Sequence, residues 1–209
     1  MIIGFEGVSC TGKTTLAAAV AARGGGVPVV PCYYHAVPDP SRLPVPLART
    51  EQEQLDALTL HLEIEALRCA LVDEATAQGG DVILDRTADT LLAHLHAVGR
   101  LQGLNADVAA RTMVDRQRVA GQVAVPDVTF FLHASHDVLA ARAATRTGMP
   151  PIYYDPDFAR HFAAHFAGYP LTPLRIDLDA AGPIEKLTAA VLEHLTWFRP
   201  CDTTARGQA

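Results

Sequence analysis

Residues 7–14 read Gly7-Val8-Ser9-Cys10-Thr11-Gly12-Lys13-Thr14, a G-x-x-x-x-G-K-T run, and no other feature constrains the fold of this chain so tightly. The pattern describes a loop that wraps a phosphate group. Two glycines let the backbone curl with its N–H groups inward. Lys13 adds a point charge for the outer phosphates, and the Thr14 hydroxyl is a hard oxygen ligand suited to Mg²⁺. The flanks agree with this reading. Met1–Phe5 is a short apolar run expected to be a buried strand, and Thr15–Arg23 is an Ala-rich stretch expected to be a helix. Strand, loop and helix in that order aim the positive end of the helix dipole at the bound anion. Gly7, Cys10, Thr11, Gly12, Lys13, Thr14 and Thr15 are therefore the expected phosphate-side contacts.

The rest of the chain alternates between strand and helix patterns. Further strands are expected at 27–34, 81–85, 128–132 and 174–178. The prolines inside the first of these place it at a sheet edge or end it early. Helices are expected at 51–77, 88–98, 106–120, 136–146, 157–166 and 184–198. Thr50 and Glu53 make a capping box for the longest of them. Such alternation predicts an α/β fold, a five-stranded parallel sheet with helices on both faces, and a ligand beyond the carboxyl ends of the strands. The expected organisation is one domain over 1–199, with a short lid at about 143–156, and a polar tail over 200–209.

Composition removes several function classes. Net charge is -6 with no extended basic block, which argues against a nucleic acid polymer or an anionic membrane as partner. No apolar run is long enough to span a bilayer, and the N-terminus lacks a secretory pattern. The four cysteines are scattered and form no C-x-x-C, which fits a reducing cytoplasm better than a disulfide framework or structural zinc. Cys10 reads as a small side chain in a tight loop, and His94 and His96 as packing or surface residues.

Three further segments carry chemistry. Val82-Ile83-Leu84-Asp85-Arg86 ends a buried strand in a carboxylate, where a Mg²⁺ ligand is wanted next to Thr14. The following residue is Arg86 rather than a water-activating glutamate, which favours transfer to a bound acceptor over hydrolysis. Arg142 and Arg146, four apart on a helix, precede a Gly/Pro-broken insert and are placed to reach transferring charge from a closing lid. Arg68 interrupts an apolar run and is expected to project into a cleft, with His61 on a similar face.

With these residues the chain resembles the nucleoside and nucleotide kinases of the P-loop class, and is most similar to the thymidylate kinase and deoxynucleoside kinase group. The resemblance rests on Phe5-Glu6-Gly7 running into Gly12-Lys13-Thr14-Thr15, on Glu65-Ala66-Leu67-Arg68, on the Asp85-Arg86 step, and on Arg142 and Arg146. It implies ATP and Mg²⁺ at the phosphate loop, with Thr14 and Asp85 on the metal side. It also implies that Lys13, Arg86, Arg142 and Arg146 are catalytic, that Arg142 also contacts the nucleotide, and that residues 179–182 border the adenine. Arg68 and Arg86 would hold the acceptor, a small molecule, and a homodimer stays open.

Departures bear on the acceptor. Thymidylate kinases carry Asp-Gly where this chain has Ser9-Cys10, and their arginine after the second strand has only Arg42 and Arg49 as candidates. Deoxynucleoside kinases place a glutamate base where this chain has Tyr33-Tyr34-His35. Ser9 and Tyr34 are thus expected acceptor contacts. The acceptor is either a nucleoside monophosphate, needing no strong base, or a hydroxyl, needing one. A GTPase-type switch or an ATPase motor remains as an alternative, though the only asparagine, Asn105, sits outside a base-reading motif.

Overall fold

Five strands form one fully parallel sheet in the order β2-β3-β1-β4-β5. The computed structural model describes residues 1–77 and 79–198, and the tail expected over 200–209 lies outside them. Strands β1 (Ile2–Glu6), β3 (Val82–Asp85) and β4 (Val128–His133) are the centre, and their side chains are almost all buried. Such continuous apolar runs are what a parallel sheet covered on both faces requires. β5 (Arg175–Asp179) closes one edge. At the other edge β2 has only Val29–Val30, against an expected strand over 27–34. Pro28 and Pro31 flank it and cannot donate to a ladder.

Helix α1 (Lys13–Arg23) buries Leu16, Ala17, Val20 and Ala21 on one sheet face, beside Val191 and Leu195 of α7 (Ile184–Phe198). Phe5 and Phe130 stack at 5.6 Å in this layer. Each such buried ring contributes about 1.5–3 kcal/mol relative to exposure. The opposite face carries α2 (Glu51–Thr76), α3 (Asp89–Gln102), α4 (Asp107–Val119) and α6 (Pro156–Gly168). Phe158, Phe162 and Phe166 of α6 run to Phe131 of β4 as a chain of ring contacts.

Two helices have features that bear on the site. α2 buries Leu58, Leu62, Ile64, Glu65, Arg68 and Val72, while Leu67 and Leu71 face outward. The inward stripe includes a buried Glu65–Arg68 ion pair, described below. Its N-terminus is capped by the Thr50 hydroxyl, which accepts from the Glu53 N–H at 3.1 Å, while Glu53 reaches back to the Arg49 N–H at 2.7 Å. α5 (His136–Ala143) ends before Arg146, so Arg142 and Arg146 do not share a helix face.

The order of strands reverses at β1, flanked by β3 and β4. The crevice beyond the carboxyl ends of those three strands is where an α/β sheet of this kind takes a ligand. Register pairs Phe5 with Asp85, so the loop leaving β1 starts beside the end of β3.

Candidate active site

The loop between β1 and α1 is shaped by its glycines. At Gly7 the backbone has φ 135°, and a Cβ there would lie 2.3 Å from the Leu132 carbonyl oxygen. Gly12, with φ 92°, sits at the start of α1 and its carbonyl accepts from the Leu16 N–H. Lys13 lies inside the curl, donating to the Val8 carbonyl at 2.7 Å and to Thr11 Oγ1 at 3.3 Å. Its burial, and the nearby Arg86 charge, bring its pKa down to about 7. An anion placed in this loop would meet a cation that has lost most of its water.

Thr14 Oγ1 donates to Asp85 Oδ2 at 2.7 Å, and Asp85 Oδ1 is buried with no hydrogen-bond partner. A hydroxyl oxygen beside a carboxylate oxygen left without a donor is a set of hard ligands that fits Mg²⁺, whose other positions are filled by waters and phosphate. No group of three His, Cys, Asp or Glu side chains among the described residues could hold a metal by itself. The fit is therefore to a metal carried in with a phosphate ligand.

Arg86 follows with φ 70°, an unfavourable conformation for a residue with a Cβ. The strain is held by its surroundings. Its N–H donates to the Phe5 carbonyl, and its own carbonyl accepts from Arg68 Nη2 at 2.6 Å. The guanidinium donates to Thr90 Oγ1 at 3.0 Å. Beneath it Glu6, fully buried, accepts from the Thr87 N–H, the Thr87 hydroxyl and the Thr90 hydroxyl. Burial raises the Glu6 pKa, and Arg86 and these hydrogen bonds pull it back. Glu6 thus acts as a buried counter-charge that fixes the turn bearing Arg86.

A cavity of about 770 Å³ opens over this loop. Ser9, Cys10, Gly12, Lys13, Thr14, Thr15, Tyr34, Asp85, Arg86 and Arg146 all line it. Sequence positions as far apart as the loop, the end of β3 and the segment after α5 are thereby brought to one space. Gly7 and Thr11 lie behind the lining: the Gly7 carbonyl faces Arg86, and the Thr11 hydroxyl donates to the Val8 carbonyl.

Arg142 and Arg68 stand elsewhere than in the cavity wall. Arg142 spans the loop and the turn after β5, donating to the carbonyls of Cys10 and Thr11 at 3.3 Å and of Ala180 at 2.7 Å. The expectation that Arg68 projects into a cleft is corrected. It is 1% exposed, pairs with Glu65, donates to the Pro31, Asp85 and Arg86 carbonyls, and stacks over Tyr33 at 4.3 Å. Four of its five N–H groups are spent inside the protein, and it does not line the cavity. Arg42 and Arg49 are exposed and off the cavity, so neither supplies a cation there.

Solved structures with the same fold were found, at low sequence identity. Thymidylate kinase from Candida albicans matches with a TM-score of 0.69 and 18% identity, over 94% of this chain and 91% of that one. Deoxyadenosine kinase from M. mycoides with bound dATP matches with a TM-score of 0.61 and 13% identity, over 94% and 99% of the two chains. The same enzyme with dCMP and dCDP bound matches at 0.59 and 14% identity, over 95% and 100%. The fold is that of the P-loop kinases. No protein family and no curated protein matches by sequence.

The cavity lining also holds residues that sequence reasoning missed. Leu43, Pro44, Val45, Pro46 and Ala48 line it, from a stretch legible only as a Pro-rich loop. His94, expected to be a packing or surface residue, lines it too while packing against Tyr153 and Phe158. Burial pushes its pKa down to about 3. The lone sequence signal was a histidine amid the buried apolar run of α3. By contrast His96 pairs with Asp107 at 2.9 Å on the helix flank, as a surface residue would.

Proposed function

We propose that this protein is an ATP-dependent small-molecule kinase that transfers the γ-phosphoryl group to a nucleoside monophosphate. One observation carries the choice of acceptor: Asp85 is the single carboxylate lining the cavity among the described residues, and it stands beside Thr14, where it would hold the metal. No carboxylate is therefore free to deprotonate a hydroxyl, whereas a phosphate oxygen is already ionised and needs no base. An oxygen of the acceptor phosphate forms the new P–O bond as the bond to the β,γ-bridging oxygen breaks, and ADP leaves with that electron pair. ATP bound with Mg²⁺ supplies the phosphoryl group.

The chain's own residues position and neutralise. The loop amides, Lys13 and the α1 N-terminus hold the donor phosphates, with Thr14 and Asp85 toward the metal. Arg86 lies between donor and acceptor, and Arg146 approaches from the 143–156 lid. Arg142 ties the loop to the turn at 179–182, the side on which adenine would rest. Such fixed charges supply most of the catalysis in phosphoryl transfer.

A second reading has one observation in its favour. Beyond Lys13, Arg86 and Arg146 no lysine or arginine lines the cavity among the described residues, and His35, His61 and His94 do. A nucleoside or another small alcohol, with an imidazole as base, is the acceptor on that reading. ADP release from Mg-ATP decides, measured across deoxy- and ribonucleoside monophosphates, free nucleosides and a no-acceptor control, beside Lys13→Ala. Acceptor-dependent turnover lost in Lys13→Ala is expected. Equal release with and without every acceptor would mean an ATPase instead.

A further inference from the structure

We infer that His61 is the specificity-determining residue of the acceptor end, its Nε2 accepting a hydrogen bond from an N–H group on an uncharged, planar heterocyclic ring. The inference rests on the kinase reading of the cavity and deepens it.

The tautomer follows from the backbone. His61 lies on α2 and lines the cavity. Its Nδ1 is 2.8 Å from the Ala57 carbonyl oxygen, which can only accept, so Nδ1 carries the proton. Burial lowers the pKa of this imidazole, so the ring is neutral near pH 7. Its Nε2 then presents a lone pair, with no protein donor among the described residues. Tyr33 stands edge-on to the ring at 5.8 Å and holds its plane. Tyr33 is itself fixed by its hydroxyl, which donates to Glu65 at 2.8 Å.

His61 shares the cavity with many aromatic and aliphatic side chains. His94, also in the lining, is flanked by Tyr153 and Phe158, with ring centroids at 5.8 and 5.5 Å. The Tyr153 hydroxyl lies 3.4 Å from His94 Nε2. Leu58, Leu91 and Leu95 also line the cavity. The charged side chains of the lining are Lys13, Asp85, Arg86 and Arg146, and the charge of Arg86 reaches His94 and Tyr153. Flat, mostly apolar walls take a planar ring and give a charged ring little to replace its lost water. A ring N–H entering such a place loses its water too, and needs an acceptor. His61 Nε2 is that acceptor. An enzyme site built to hydrogen-bond a group discriminates strongly against the analogue that lacks it.

The test is a binding titration in the presence of a non-hydrolysable Mg-ATP analogue. The ligands are the four common deoxynucleoside monophosphates and their nucleosides, each beside the derivative whose ring-edge N–H groups carry methyl. For the parent ligand that binds, wild type should prefer N–H over N-methyl by about tenfold or more, the equivalent of one hydrogen bond left unmade. His61→Phe keeps the ring but not the lone pair, and should shrink that preference to about twofold or less while the ATP analogue binds as before. His61→Gln, whose amide oxygen can accept, should restore part of it. Undiminished preference in His61→Phe would overturn the inference and leave the kinase reading standing. No binding by any of these ligands would remove the kinase reading, and the inference with it.

Discussion

Replacing Arg68 by methionine separates two roles that the same residue could have. If it held the acceptor, its loss would raise KM and spare the fold. The structure assigns it the opposite. Its side chain is 1% exposed and that of its partner Glu65 0%. Removing one member of such a pair strands the other charge in the interior, which costs about 3–5 kcal/mol. Methionine retains most of the packed volume, so this electrostatic loss should dominate. The cation over Tyr33 and the support of the Arg86 carbonyl go with it. For a chain of this size a loss of that kind lowers Tm by about 2–4 °C per kcal/mol, or roughly 6–20 °C in all. Urea unfolding at 25 °C and a thermal melt measure it. The double variant Arg68→Met with Glu65→Leu should regain part of the loss, because the stranded charge is gone. Recovery should be incomplete, since Tyr33 Oη and the Ala124 N–H also lose their acceptor. A Tm within about 2 °C of wild type, together with a tenfold rise in acceptor KM, would refute this account and return Arg68 to the ligand.

Other outcomes follow from the phosphate loop. The Lys13 pKa is about 7 in the folded protein and 10.5 as an ordinary lysine, so between those values the unfolded chain holds a proton that the folded one has shed. Stability should rise with pH from about 7 toward 10.5, and Lys13→Met should flatten that slope in urea midpoints taken across the range. Binding of Mg-ATP at pH 8 should take up a proton, seen as a buffer-dependent heat in calorimetry; an identical heat in all buffers would count against Lys13 as the phosphate ligand. Arg86→Ala should reduce kcat by about 10²-fold or more with little change in ATP affinity. Unchanged turnover would remove Arg86 from the transfer step.

Much of the architecture was legible because its signals are local. The central strands are unbroken apolar runs, and the phosphate loop is a single contiguous motif whose glycines are needed for the backbone path. β2 shrank to two residues because prolines on both sides interrupt its ladder. What could not be read depends on which faces meet. An arginine in an apolar helix looks the same whether it points into a cleft or into a core. The distinguishing clue was Glu65, one helical turn before Arg68, which makes the pair self-sufficient. His94 became a cavity residue only because α6 and the turn at Pro151–Tyr154 lie across α3. Arg142 and Arg146 parted because α5 stops at Ala143, a boundary that helix propensity alone does not mark.

The backbone at Cys10 and Arg86 has further meaning for descent. Both residues hold positive φ, at 67° and 70°, where glycine would rest without strain. Each costs the fold of order 1–3 kcal/mol. Drift without selection for the side chain would favour glycine or asparagine at these two positions, because the substitution relieves the fold. A long cation kept at residue 86 against that strain is what selection for a charge in the cavity would leave. A glycine there would relieve the strain and remove the charge in one step, leaving the fold intact.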